Sequence, residues 1–404
     1  MYFISIAFCS LWNIRNSEYT DECTNDRTDS NRGTGSDDRT NSDRSTETNI
    51  STNSNGNAKT DGYSEANRGS AGNTDSDSNQ STVTEDMTLL NTYGSTFGKV
   101  GTAVSLWDLK SPTYLKLLKK QYNSVTSGWE AKMDQVLISN PDLISIEEAK
   151  RLGYVIPDNY KETVVPKFNF DTIDETMKIC AENDLYYRVH TLIWHQQAFD
   201  WFFRTGYSSN AGFVSPEVMD ARMEMYIRTV MEHICTSKYI DIVYVWDVVN
   251  EYIHFDNVDY ENYTAVYGAI NKKPEFVKLA FEIADDMLRK HGLREQISLF
   301  YNDYNTYVTD EWGKGNNTED ILSLVNFINS DGKICDGVGM QTHLMLEHSP
   351  NWRDTYKQAM KMFLDAGLEV QLTEVDVYRN TPEVTEKVQM ETYAALMEDV
   401  LDLR

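Results

Sequence analysis

Residues 243–252, VYVWDVVNEY, are a run of valines and aromatic residues that stops on an Asn-Glu pair, Asn250 and Glu251. Residues 370–378, VQLTEVDVY, repeat the arrangement: an apolar run reaches Glu374, and Asp376 follows two positions on. Near-continuous β-branched runs are the mark of strands covered on both faces, as in parallel sheets. A carboxylate at the end of such a run belongs at the mouth of the sheet, because burying it without a partner is costly. Working outward, Val100–Ser105 and Tyr122–Thr126 read as strands. Helical spacing over Asp171–Asn183 leads into Leu185–Trp194, and Glu217–Ser237 leads into Ile240–Asn250. Phe276–His291 precedes Ile297–Tyr301, and Glu319–Asn329 precedes Gly337–Gln341. Trp352–Ala366 precedes Leu368–Glu374, and Glu386–Leu403 is a final helix. Seven strands, each followed by a helix, predict a parallel α/β fold. Polar residues gather at the C-terminal strand ends, where a (β/α)8 barrel carries its site. No Gly-rich turn follows the first strand, which argues against an open doubly wound sheet.

Composition divides the 404-residue chain. From Thr20 to Asp86 there is no Leu, Met, Phe, Trp or Pro, and the large apolar residues are Ile50, Tyr63 and Val83. Such a segment buries too little surface to offset chain entropy, so residues 20–86 are expected to form a disordered linker. Its expected partner is a carbohydrate-binding or other module beyond it. Residues 1–19 form an apolar stub, and residues 87–404 the barrel domain. The opening MYFISIAFCSLW lacks the positive flank and small-residue cleavage site of a signal peptide, although secretion is the expected destination.

With 37 Lys and Arg against 63 Asp and Glu, the net charge is −26, and no basic cluster offers a surface to nucleic acid or anionic membrane. No apolar run reaches the roughly 18 residues a membrane helix needs. The five cysteines are scattered without a CxxC, so neither zinc nor a redox motif is expected; a Cys235–Cys335 bridge stays open. The 24 Tyr and 8 Trp suit both core packing and sugar faces.

Paired carboxylates across a cleft are the equipment of glycoside hydrolysis, one protonated to assist the leaving oxygen and the other ionised to attack. The segments RVHTLIWHQQ (188–197), WDVVNE (246–251), FYNDYN (300–305), GMQTHL (339–344) and LTEVDV (372–377) resemble, in order and spacing, the family 10 glycoside hydrolases. YNSVTSGWEAK (122–132) is similar to the segment around that family's second strand. The resemblance implies a (β/α)8 barrel, a retaining endo-β-1,4-xylanase without metal or cofactor, and xylan or xylo-oligosaccharide as substrate. It implies Glu251 as acid/base and Glu374 as nucleophile, with Asn250 on the sugar 2-hydroxyl. It implies that His343, backed by Asp376, holds the nucleophile. Lys132, His190, Trp194 and Gln341 would line the subsite at the scissile bond, and Asn302 and Tyr304 would lie on the leaving-group side. Trp246 and Asp247 would support the acid's strand.

Three departures from the family pattern follow. Gly128 and Trp129 stand where the pattern has two polar sugar-binding residues. The stretch from Met133 to Lys167 is long, which predicts an added short helix and a loop over the cleft. The chain reaches Arg404 with the helix after the seventh strand, so the eighth strand and helix are expected to be missing, leaving first and seventh strands as open edges. Two other readings compete: a β-1,4-glucanase of a related barrel family, and a non-catalytic xylan-binding barrel.

Overall fold

The apolar runs and amphipathic helices alternate around a parallel ring. A computed structural model of the chain describes residues 4–8, 87–253, 261–268, 273–309, 316–344, 351–378 and 381–404. The chain separates into two units, residues 1–18 with 85–404, and residues 19–84. The second unit, and with it the tract read as a linker, lies outside the described residues.

The strands are β1 (Ile4–Phe8), β2 (Val100–Val104), β3 (Ser124–Ser127), β4 (Tyr186–Ile193), β5 (Val243–Asn250), β6 (Ser298–Asp303), β7 (Gly337–Met340) and β8 (Glu369–Val377). The longer helices are α1 (Leu89–Phe97), α2 (Pro112–Gln121), α3 (Asp171–Glu182), α4 (Pro216–Cys235), α5 (Glu275–Lys290), α6 (Asn317–Ile328), α7 (Trp352–Asp365) and α8 (Glu386–Asp402). All seven strands read from the sequence form, as β2 to β8. Sequence spacing missed α1 and α2, yet both carry start signals. Thr88 Oγ1 accepts from the Asn91 amide at 3.0 Å, and Ser111 caps a helix whose first residue is Pro112.

Each strand pairs in parallel with the next, from β1 through β8. The ring closes because β1 also pairs with β8, Ile6 lying opposite Val100 on one side and Leu372 on the other. The expectation of two open edges is therefore corrected. No strand follows α8 among the described residues, but Ile4–Phe8 of the segment read as a stub fills the gap. Two edges with unpaired amides and carbonyls need an extended partner, and this segment meets that need. Helix α1 then packs on β1 and β2.

The long stretch after β3 does contain a short helix, Ile146–Arg151. It also contains an antiparallel pair, Leu143–Ser145 with Val164–Pro166, that the sequence reading missed. It is fastened to α4: the Val155 amide donates to Thr229 Oγ1 at 3.1 Å, and Arg222 Nε to Glu162 Oε2 at 2.6 Å. Cys180, Cys235 and Cys335 are buried free thiols, so the Cys235–Cys335 bridge does not form. Inside the ring, Arg188 on β4 donates to Asp247 on β5 and to Gln371 on β8. Strands β4 and β8 stand on opposite sides, so this bond crosses the interior. A buried guanidinium is tolerable there because it meets the Asp247 carboxylate with fork geometry.

Candidate active site

The site is assembled at the C-terminal ends of β3 to β8. Glu251 follows β5 directly and adopts φ 58°, a left-handed backbone that a non-glycine residue holds only under constraint from its surroundings. Thr342, after β7, shares this conformation at φ 65°, as does Asn305, beyond β6, at φ 48°. Such turns let the chain aim side chains across the mouth instead of continuing the strand.

Glu251 Oε1 accepts from Gln341 Nε2 at 2.8 Å, and Oε2 accepts from the Trp194 indole at 2.7 Å. His195 Nε2 lies 4.0 Å from the same Oε2. Burial is the largest influence and pushes the Glu251 carboxyl above its ordinary range. The hydrogen bonds from Gln341 and Trp194 oppose this, and the negative charges of Asp303 and Glu374 add to it.

Glu374 lies within β8. Its Oε1 accepts from Asn302 Nδ2 at 2.9 Å, and its Oε2 sits 3.4 Å from His343 Nε2. Here burial, again the largest single influence and upward, is outweighed. The His343 hydrogen bond, the His190 and His343 charges and the Asn302 bond together hold Glu374 down at about 2. His343 Nδ1 in turn meets Asp376 Oδ1 at 3.0 Å. Desolvation works against its charge, but the two carboxylates prevail and push the imidazole up to about 10. Doubly protonated, it donates to both.

Asn302 carries a correction. Instead of facing the leaving-group side, it is fully buried and joins the two halves of the site. Its Nδ2 reaches Asn250 Oδ1 as well as Glu374 Oε1, both at 2.9 Å, and Thr373 Oγ1 donates to its Oδ1 at 2.7 Å, fixing the amide orientation. The physical reason is register. Asn302 lies opposite Asn250 on one side and Gly339 on the other, so its side chain enters the ring where the glycine leaves space. Tyr304 follows β6 half-buried, its amide donating to Asp303 Oδ1 at 2.8 Å.

The other residues singled out by sequence converge here. Gln341 also donates to Asn250 Oδ1 at 3.2 Å. His190 is fixed through Nδ1 to Asp247 Oδ2 at 3.0 Å, which makes Asp247 a support of the site as well as of its strand. Trp246 is wholly buried. Lys132 places Nζ 4.7 Å from the Trp194 ring and 5.3 Å from the Trp129 ring. Desolvation lowers its ammonium below the ordinary lysine range, against the pull of Glu374 and Glu251. Sequence reasoning missed Asp303, whose charge helps push Glu251 up, and Thr373, although it sits inside LTEVDV. Among the described residues, no group of three or more His, Cys, Asp or Glu is arranged to hold a metal ion.

Two glutamates biased in opposite directions, one directly after β5 and one on β8 of a parallel barrel, coincide with a family match: the model for glycosyl hydrolase family 10 matches residues 88–404. The chain belongs to this family. It is 45% identical over 290 residues to endo-1,4-beta-xylanase A of Butyrivibrio fibrisolvens, covering 72% of this chain and 67% of that protein. It is 33% identical over 284 residues to endo-1,4-beta-xylanase B of the same organism, covering 70% of this chain and 40% of that one. Among solved structures, an endo-1,4-beta-xylanase from Caldicellulosiruptor owensensis is 28% identical with TM-score 0.56, covering 78% of this chain and 83% of its own. The N-terminal endo-1,4-beta-D-xylanase 10B of Clostridium thermocellum, complexed with xylohexaose, has TM-score 0.61 at 25% identity, covering 76% of this chain and 56% of its own. The family 10 barrel and its hydrolase chemistry are thus shared with this chain.

Proposed function

We propose that the chain hydrolyses internal β-1,4-xylosidic bonds of xylan with retention of configuration. The observation that carries this is the opposed surroundings of the two glutamates: Asn302 and His343 beside Glu374 hold its carboxyl down, whereas burial pushes that of Glu251 up. A pair of carboxyls whose surroundings push them apart in this way assigns its own roles. Glu374 attacks the anomeric carbon while Glu251 gives its proton to the departing glycosidic oxygen, and a glycosyl ester forms on Glu374. Esterification removes the Glu374 charge, one of the influences that push Glu251 up, so Glu251 becomes easier to ionise just when a base is needed. It then takes a proton from water, which attacks the anomeric carbon and releases Glu374. Asn250 lies beside Glu251 and is held by Asn302 and Gln341, well placed to donate to the sugar 2-hydroxyl. A polymeric substrate that crosses no membrane supports action outside the cell.

The test is reducing-sugar release from xylan and from a mixed-linkage β-glucan by the wild type and Glu374→Ala. Xylan cleavage that disappears in the variant supports the reading, and preferential cleavage of the glucan would replace xylanase by glucanase. Glu251→Ala is expected to lose about 10²–10⁴-fold on xylan, yet to keep rapid ester formation with 2,4-dinitrophenyl β-xyloside, whose leaving group needs no proton. Equal losses on both substrates would remove Glu251 from the acid role.

A further inference from the structure

Two tryptophans are held out into solvent at one end of the barrel, Trp107 at 80% exposure and Trp129 at 41%. Single exposed apolar side chains are ordinary, but these two are neighbours in the fold. Val104 and Ser127 are register partners on β2 and β3, so Trp107 and Trp129 leave adjacent strands within three residues of a shared position. Both segments are rigidly built. Gly128 donates its amide to the Val104 carbonyl at 2.8 Å, and Ser105 caps the short helix Leu106–Leu109 through a reciprocal bond with Asp108. Between them sits Glu130, a carboxylate only 5% exposed. Its Oε1 accepts from the Leu106 amide at 2.6 Å and its Oε2 from the Trp129 amide at 3.3 Å. One buried carboxyl group therefore clamps the backbones that present both indoles.

The patch is continuous with the catalytic centre. Lys132 Nζ lies between the Trp129 and Trp194 rings, and Trp194 donates to Glu251. Beside Trp129 the surface is open, since a Cβ added at Gly128 would meet nothing nearer than the Val104 carbonyl oxygen at 3.7 Å. Two polar hydrogen-bonding positions of the family pattern are thus replaced by a space and a flat apolar face.

We propose that Trp129, with Trp107 beyond it, is a stacking platform for xylose rings of the bound chain outside the catalytic subsite, and that it biases the enzyme toward long substrates. β-Xylose carries its substituents equatorially, so both ring faces present axial C–H groups that match an indole face. The platform rests on the xylanase reading, and the experiment separates the two. Xylohexaose affinity is measured by calorimetry in the Glu374→Ala background, with and without Trp129→Ala. In the otherwise wild-type enzyme, kcat/KM is compared for xylohexaose and 4-nitrophenyl β-xyloside. Trp129→Ala should weaken xylohexaose binding about fivefold to thirtyfold and raise KM more than it lowers kcat. Its loss on xylohexaose should exceed its loss on the aryl xyloside at least about fivefold, with Trp129→Phe restoring most of it and Trp107→Ala giving a smaller effect. Xylohexaose binding that Trp129→Ala leaves unchanged overturns the platform alone. No binding or cleavage of xylohexaose by any form overturns the xylanase reading and the platform with it.

Discussion

Glu374 is held ionised by a histidine that two carboxylates hold charged, and the pair has a defined pH window. The folded value of Glu374, about 2, lies below its ordinary 4.5, so its contribution to stability is present above pH 4.5 and lost as pH falls toward 2. That of His343, about 10, lies above its ordinary 6.5, so its contribution is complete below pH 6.5 and lost as pH rises through 10. The two overlap fully between pH 4.5 and 6.5. His343→Asn should therefore show its largest deficit in Tm within that window and a shrinking one on either side. A deficit independent of pH would assign the loss to packing. Asp376→Asn removes the second anchor of the imidazole, and the acid limb of kcat/KM should move up by roughly one pH unit as Glu374 becomes easier to protonate. Both glutamates and Asp376 were legible from WDVVNE and LTEVDV, and His343 from GMQTHL. The role of Asn302 was not, because motif spacing does not say which neighbour vacates the room its amide enters.

Strand β7 illustrates the same limit at the level of an element. Its sequence, GVGM, is a poor strand by propensity. It is nevertheless the strand this ring requires. A Cβ at Gly337 would come within 2.5 Å of Phe300 and the Glu369 carbonyl, and one at Gly339 within 2.2 Å of Asn302 Oδ1. These glycines admit the side chains of β6, and through Asn302 they set the position of Glu374 and Asn250. Gly339→Ala should cost about 1–3 kcal/mol in denaturant unfolding and also lower kcat, since relief of the clash displaces Asn302. An alanine variant of unchanged kcat would mean that β7 yields instead. The strands were readable because near-continuous apolar runs are local and strong. The missed α1 and α2 have their signals at the caps, and the pair Leu143–Ser145 with Val164–Pro166 is too short to show a period.

At the scale of the whole molecule, closure depends on β1. Ile6 is paired on both sides, so Ile6→Pro removes a ladder donor where no edge exists to tolerate it, and a loss of roughly 1–3 kcal/mol is expected. Removing residues 1–8 should uncover the edges of β2 and β8 and produce concentration-dependent association in light scattering. A monomeric truncation with unchanged Tm would exclude β1 from the closed barrel. The sequence by itself determined the parallel α/β class, the seven strands β2 to β8, the family resemblance and the two glutamates, because each is written in contiguous residues whose period or motif is local. The tertiary structure alone decided that Ile4–Phe8 closes the ring, that Asn302 lies beneath the nucleophile, and that Glu130 joins the two exposed tryptophans. Those features are contacts between residues remote in sequence. They follow from which backbone groups are left unpaired and which cavities are left unfilled once the barrel has formed, and no local pattern carries that information.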